Sequence, residues 1–155
     1  MISLQVGDKA PSLSVYDQDK TKIALKDFSG KKLVIFFYPA ASTPTCTVQA
    51  CNLRDNINLL KRNGIEVVGI SVDDIAKQKK FKSKNELPFP LLADVDHTIV
   101  NAYGVWQNKV LFGKKYMGIV RTTFLIDEKG VIIKIFEKPK SKMHAEEIIA
   151  FLKGK

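Results

Sequence analysis

The sequence predicts an α/β domain with a mixed central β-sheet, helices on both of its faces and a β-hairpin at the N-terminal end. Three patterns carry that prediction. Two continuously apolar runs, Leu33 to Tyr38 and Val67 to Ile70, lie on either side of a helical pattern, which is how strands buried on both faces read in a βαβ unit. Near the C-terminal end, Thr122 to Asp127 and Val131 to Phe136 flank the turn Glu128-Lys129-Gly130, the clearest hairpin signal in the chain. Parallel strands early and an antiparallel pair late make the sheet mixed.

The elements follow in order. Leu13 to Tyr16, the polar turn Asp17 to Lys20 and Ile23 to Leu25 read as the N-terminal hairpin, flanking the core. After the first buried strand, Cys46, Ala50, Leu53, Ile57 and Leu60 recur at spacings of four and three, the buried stripe of one helix, which stops at Asn63-Gly64. A second helix runs from Ile75 to Asn85 with Asp73 or Asp74 as its N-cap, and Pro88 and Pro90 mark its end. Leu91-Leu92 is a short strand and Thr98 to Tyr103 a short helix, while Trp106 reads as loop or core packing. A helix from His144 to Leu152 closes the chain. This arrangement is that of thioredoxin-like folds.

At 155 residues the chain fits one domain spanning residues 1–155, large enough to need no staples. The longest apolar run is the six residues from Leu33 to Tyr38, far short of the roughly 20 of a membrane span. The first residues lack the charged and apolar blocks of a signal peptide. A soluble, cytoplasmic protein with no membrane partner is therefore expected. The net charge of +9 comes mostly from lysine, with Arg54, Arg62 and Arg121 the only arginines. Nucleic-acid recognition leans on bidentate arginine. The cluster Lys77, Lys79, Lys80, Lys82 and Lys84 accordingly reads as a solvated helix face, and nucleic acid is not expected as a partner.

The chemistry concentrates at two cysteines. Cys46 follows the strand and the loop Pro39 to Thr45, so it falls in the first turn of the next helix, where unpaired N–H groups and the helix dipole stabilise an anion. The thiolate is the nucleophilic form of cysteine, which makes Cys46 the candidate reactive atom. Cys51 lies five residues on, rotated by about 140° and raised by about 7.5 Å in an intact helix. The two Cα atoms are then roughly 8.5 Å apart, beyond the reach of a disulfide unless the first turns unwind. A loop this short removes little unfolded-state entropy when closed, so redox or metal chemistry explains the pair better than stapling. His97 and His144, the only histidines, have no second ligand at metal-binding spacing, and no metal or other cofactor is expected.

The pattern Pro39-xxx-Thr43-xx-Cys46, with Cys51 after it and Arg121 about 75 residues on, resembles the active-site pattern of peroxiredoxins. More narrowly, it is similar to the bacterioferritin-comigratory-protein, or peroxiredoxin Q, subfamily. The likeness extends over Val6 to Pro11, Tyr38-Pro39, Thr47 to Asp55, Tyr103 to Trp106 and Arg121 to Asp127. It implies a thiol peroxidase acting on hydrogen peroxide and organic hydroperoxides, monomeric and recycled by thioredoxin or a similar dithiol. In that scheme Cys46 is peroxidatic and Cys51 resolving through an intramolecular disulfide. Thr43 and Arg121 position the peroxide, and Pro39 lines its site. Two residues depart from the pattern: Thr45 stands where glycine is usual before the peroxidatic cysteine, and Ser12-Leu13 replace an acidic-aromatic pair.

Other readings of the same residues stay open at this level. Pro39 and Pro44 also suit an ordinary turn and helix start, Thr43 an N-cap, and Arg121 an edge position in a strand that continues through Thr123 and Leu125. A thiol-disulfide oxidoreductase is the nearest alternative function, although such enzymes usually carry C-x-x-C whereas four residues separate these cysteines. A basic nucleic-acid-binding or chaperone-like module using the lysine-rich helix is the third.

Overall fold

The computed structural model describes residues 2–154. In chain order the elements are β1 (Ser14–Tyr16), β2 (Lys22–Ala24), β3 (Lys32–Phe37), α1 (Pro44–Asp55), α2 (Ile57–Arg62), β4 (Ile65–Ser71), α3 (Ile75–Lys84), β5 (Leu91–Ala93), α4 (Thr98–Ala102), β6 (Trp106–Leu111), β7 (Lys114–Ile119), β8 (Thr122–Ile126), β9 (Ile132–Phe136) and α5 (His144–Lys153). Five strands form one sheet in the order β5-β4-β3-β8-β9. β3 runs parallel to β4, and β4 to β5, whereas β8 is antiparallel to both β3 and β9. The mixed sheet and the N-terminal hairpin β1-β2 match the expectation.

β3 is the centre of the sheet because both of its faces are covered. Its side chains alternate between two cores: Val34 and Phe36, with Tyr38 beyond the strand, join one cluster with α1, α3 and α5, while Leu33, Ile35 and Phe37 join the other with α4 and β8. That alternation follows from the period of two along a strand, and each fully buried side chain contributes roughly 1.5–3 kcal/mol. The neighbouring strand passes so closely that Gly69 is required: a Cβ there would lie 2.8 Å from both Phe36 Cζ and Leu91 Cδ2.

Three expectations need correction. The stripe of Cys46, Ala50, Leu53 and Leu60 is buried, with Ile57 packed against it, but it spans two helices. Asn56 breaks them at φ −111° and ψ 15° and turns its amide back onto the Asn52 carbonyl at 2.8 Å, the local competition that makes asparagine a poor helix interior residue. Lys82 is not part of the solvated lysine face. Its ammonium donates to the carbonyls of Leu87 and Phe89, and burial pushes its pKa down. The hairpin β6-β7, a separate two-stranded sheet, was not anticipated at all. Its tip is the two-residue turn Phe112-Gly113, both at left-handed φ of 52° and 78°. Asparagine before glycine is the usual signal for that mirror-image turn, and phenylalanine conceals it.

The alternative N-caps of the second helix are resolved: Asp74 caps α3 by accepting from Lys77 N at 2.8 Å, which leaves Asp73 for another purpose. α5 is docked through its first turn. The Asn52 side chain accepts from Ala145 N at 2.7 Å and donates to the Lys142 carbonyl and Glu146. His144, fully buried, bonds Glu147 through Nδ1 at 2.6 Å and Thr123 Oγ1 through Nε2 at 2.8 Å.

Burial holds His144 below its usual pKa, opposed by Glu147 and reinforced by the charge of Arg121. The unfolded chain then binds the proton more readily, so the contribution of this residue is complete above the unfolded value of about 6.5 and is lost as pH falls below it. The stability advantage of wild type over His144→Asn should therefore narrow between neutral and mildly acidic pH, measured by urea unfolding. A gap that stays constant would show that His144 takes up its proton equally in both states.

Candidate active site

The buried strand delivers the loop, and the loop delivers the sulfur. After Tyr38, Pro39 and Ala40 turn away from the sheet half-buried, Ser42 takes a left-handed φ of 65°, and Pro44 opens α1 at its first position. A serine at positive φ stores roughly 1 kcal/mol of strain or more, which surrounding bonds must hold. Thr43 is the N-cap by position, but its hydroxyl makes no cap bond; it donates to the Ala40 carbonyl at 3.0 Å. Its own carbonyl accepts from Thr47 N at 2.9 Å and from the Thr47 hydroxyl at 2.8 Å.

Cys46 stands at the third position of α1 with 1% of its surface exposed. Arg121 reaches it from across the sheet: Nη2 lies 3.3 Å from Sγ and Nη1 donates to Gln49 Oε1 at 2.8 Å. Gln49 sits one turn along α1, completely buried, with its Nε2 lacking a partner among the described residues. Arg121 itself belongs to the short connection between β7 and β8, so it is neither a strand residue nor a surface edge. The cationic guanidinium and the positive end of α1 thus both face the same sulfur.

A buried polar chain fixes the loop from behind. The Asp73 carboxylate accepts from Ala41 N at 2.7 Å and from Ser71 Oγ at 2.7 Å. Gln78 Nε2 donates to Ser71 Oγ and to the Leu92 carbonyl, each at 2.8 Å, and its Oε1 accepts from the Tyr38 hydroxyl. Burial raises the Tyr38 pKa strongly, so the phenol stays a donor. The chain ties the ends of β3 and β4 and the first turn of α3 to the residue two before Thr43.

Cys51 occupies the same intact helix, half-buried, with Sγ 3.8 Å from Asn85 Oδ1 at the end of α3. Arg54 closes that corner by donating to the Asn85 carbonyl at 2.7 Å. Both cysteines are free. Cys46 and Arg121 thus meet on one side of α1, Thr43 immediately precedes that helix, and Cys51 faces away from the pair, as its five-residue spacing requires.

The model of the AhpC/TSA family matches residues 6–135 of this sequence. Peroxiredoxin Bcp of Escherichia coli strain K12 is 45% identical over 153 residues, covering 99% of this chain and 98% of that protein. The chain belongs to the AhpC/TSA family, among the Bcp peroxiredoxins. Peroxiredoxin Bcp of Bacillus subtilis strain 168 is 41% identical over 98% of this chain and 97% of its own length. Among solved structures, a mutant of Xanthomonas campestris peroxiredoxin Q superposes with a TM-score of 0.88 at 30% identity, covering 99% of this chain and 98% of that one. A structure bearing on alkyl peroxide reduction by the Xanthomonas campestris bacterioferritin comigratory protein superposes with a TM-score of 0.88 at 29% identity, covering 99% of this chain and 98% of that one.

The two departures of this peroxiredoxin have simple settings. Thr45 is the second residue of α1 and exposed, in helical geometry that any side chain accepts. Leu13 is buried at 2% exposure in the core that contains Phe37 and Phe124, so it fills apolar space without an aromatic ring. Sequence reasoning missed Gln49 and Asp73. Gln49 is one turn after Cys46 on the same face, a spacing that could have singled it out. Asp73 carried no such signal, since either aspartate before α3 could have been its cap.

Asp73→Ala should slow the oxidation of Cys46 by peroxide on the order of tenfold, because the freed Ala41 N–H lets the loop and the Thr43 hydroxyl drift. Stopped-flow fluorescence of Trp106, the single tryptophan, follows that step in a single turnover. Asp73→Asn keeps an acceptor oxygen and should recover part of the rate. Equal rates in all three proteins would reduce Asp73 to a spectator.

Proposed function

We propose that this peroxiredoxin is a monomeric, single-domain cytoplasmic thiol peroxidase that reduces hydrogen peroxide and organic hydroperoxides through Cys46 and Cys51 and is recycled by thioredoxin or a similar dithiol. The observation that carries the reading is the Cys46 sulfur in the first turn of α1 with the Arg121 guanidinium 3.3 Å away. Alkyl peroxide reduction in the Xanthomonas campestris relative supports the organic class of substrate.

The chemistry follows from the donors. The Cys46 thiolate attacks the outer oxygen of the peroxide in line with the O–O bond. The sulfur gains that oxygen as a sulfenic acid, the O–O bond breaks, and the departing alkoxide or hydroxide takes a proton and leaves as alcohol or water. Arg121 holds the thiolate and the developing negative charge, a preorganised role of the oxyanion-hole type. The Thr43 hydroxyl spends its hydrogen on the Ala40 carbonyl, so its lone pairs are left to accept from the peroxide O–H. Pro39 has no N–H and shapes the wall of the site without adding a donor. No step calls for a metal or an organic cofactor. The Cys51 thiol then displaces water from the sulfenic acid to form a Cys46–Cys51 disulfide, and exchange with an external dithiol restores both thiols.

The second step forces a change of shape, since an intact helix holds the two Cα atoms roughly 8.5 Å apart. Unwinding α1 from its N-terminus releases Cys46 from Arg121, Thr47 from Thr43 and Cys51 from Asn85. Asn52 grips the first turn of α5 and the residue Lys142 just before it with three hydrogen bonds, a natural stop for the melting.

Cys46→Ser should abolish peroxide consumption with any thiol reductant, and Arg121→Ala should lower the second-order rate constant for peroxide by on the order of a hundredfold, the usual loss for one donor to developing negative charge. An Arg121→Ala enzyme of wild-type rate would remove the guanidinium from the mechanism.

Cys51→Ser should consume one equivalent of peroxide rapidly and then accumulate Cys46 as sulfenic and sulfinic acid, read by intact-mass spectrometry. In the wild-type disulfide state, hydrogen exchange should show lost protection up to Cys51 and retained protection from Leu53 onward. Uniform protection of α1 in both redox states would rule out the Cys46–Cys51 pairing.

A further inference from the structure

The hairpin β6-β7 has no part in the mechanism, yet it carries the two most exposed large apolar residues of the described chain, Phe112 and Val110. Phe112 at its tip is 95% exposed, Val110 66% and Leu111 55%, with Tyr116 and Met117 also exposed behind them. Lys114 and Lys115 follow the turn directly and are exposed, and Lys109 flanks it from the other strand. No acidic residue occurs anywhere from His97 to Ile126, so this positive charge is unbalanced locally.

The register shows how these groups are distributed. Leu111 pairs with Lys114 and Val110 with Lys115, and successive residues of a strand point to opposite faces. Each face of the tip therefore carries one aliphatic side chain and one lysine, with Phe112 at the apex. A surface built to dock on one face of another protein would gather its apolar residues on one side. An apolar point with lysines around its base suits a medium that surrounds it, with apolar groups at the acyl boundary and ammonium groups among anionic headgroups. A second copy of the chain is the poorer occupant, because it would bring these lysines together in a molecule of net charge +9.

We propose that the β6-β7 tip is a peripheral docking element for anionic lipid surfaces, inserting Val110, Leu111 and Phe112 at the interface and setting Lys114 and Lys115 against phosphate headgroups, while Lys109 is held back on the hairpin by its bond to the Ile119 carbonyl at 3.0 Å. Among the described residues no helix is long and apolar enough to cross a membrane, and this peripheral mode needs none. The hairpin runs back through Ile119 to within two residues of Arg121, so the docked face is continuous in sequence with the catalytic one. Hydroperoxides of phospholipids are then the organic substrates that docking favours. That extension rests on the peroxidase reading, whereas the docking itself does not.

The test is flotation of the full chain with vesicles of phosphatidylcholine alone and of phosphatidylcholine with phosphatidylglycerol. Binding is expected only to the anionic vesicles, released by high salt. Phe112→Ser should weaken it on the order of tenfold, and the double variant Lys114→Glu, Lys115→Glu on the order of a hundredfold. Both variants should reduce hydrogen peroxide in solution at the wild-type rate but act more slowly on phospholipid hydroperoxide held in the anionic vesicles. Wild type failing to bind, or binding that Phe112→Ser leaves unchanged, overturns the proposal. So does a Phe112→Ser effect confined to the oligomeric state in sedimentation velocity, or to the rate of recycling by thioredoxin, which would assign the tip to a protein partner. Loss of peroxide reduction by wild type with both substrates, while vesicle binding persists, would overturn the peroxidase reading and leave the docking element standing.

Discussion

The sulfur proposed to react with peroxide lies almost wholly out of water, and the rest of the site is arranged around its contact with the Arg121 guanidinium. A buried charge without a partner is strongly unfavourable, and the burden falls on geometry because the two residues are 75 positions apart in sequence. The antiparallel pairing of β3 with β8 closes that gap. Phe37 sits opposite Thr122, so the connection carrying Arg121 emerges beside the loop that begins at Tyr38. The doubly buried central strand is therefore the means by which a cation and a thiol from distant parts of the chain meet.

The same helix must satisfy two opposed demands. In the reduced protein α1 holds Cys46 at the positive end of its dipole, and the bonds of Thr43, Thr47 and Asn85 secure its first turns. The proposed Cys46–Cys51 disulfide requires those same turns to open. The network from Tyr38 through Gln78, Ser71 and Asp73 to Ala41 sits on the strand side of the loop, and Asn52 sits on the far side of Cys51. The segment that the proposed disulfide would open is bounded by polar anchors at both ends. The break at Asn56 further separates α1 from α2, so a change in the first helix need not travel into the second.

Some of this was legible in residues alone. The apolar runs at Leu33 to Tyr38 and Val67 to Ile70, the C-terminal hairpin, and the spacing of the cysteines each carry a local period or a turn signal, and the elements formed where those signals lie. The hairpin β6-β7 was illegible for a local reason as well: Phe112 occupies a left-handed turn position normally marked by asparagine or glycine, and the exposed apolar residues of its strands do not alternate with polar ones. The continuous helix expected from Cys46 to Leu60 failed at Asn56 because a hydrophobic stripe reports which face is buried and says little about a side chain that competes with the backbone.

The sequence by itself determined the strand and helix periods, the helical first-turn position of Cys46 and the family resemblance, since these depend on neighbours a few residues apart. Only the tertiary structure decided that Arg121 leaves the strand and reaches Cys46, that Gln49 orients it, that Asp73 holds the loop while Asp74 caps α3, and that the Thr43 hydroxyl turns to Ala40. Each of these is a hydrogen bond with directional requirements, made between segments that the sheet brings together, between two acceptors equally placed in sequence, or, for Thr43, within a loop whose path the packed structure sets. Periodicity follows from the geometry of a single segment, whereas the choice of partner for a polar side chain is settled by packing at long range.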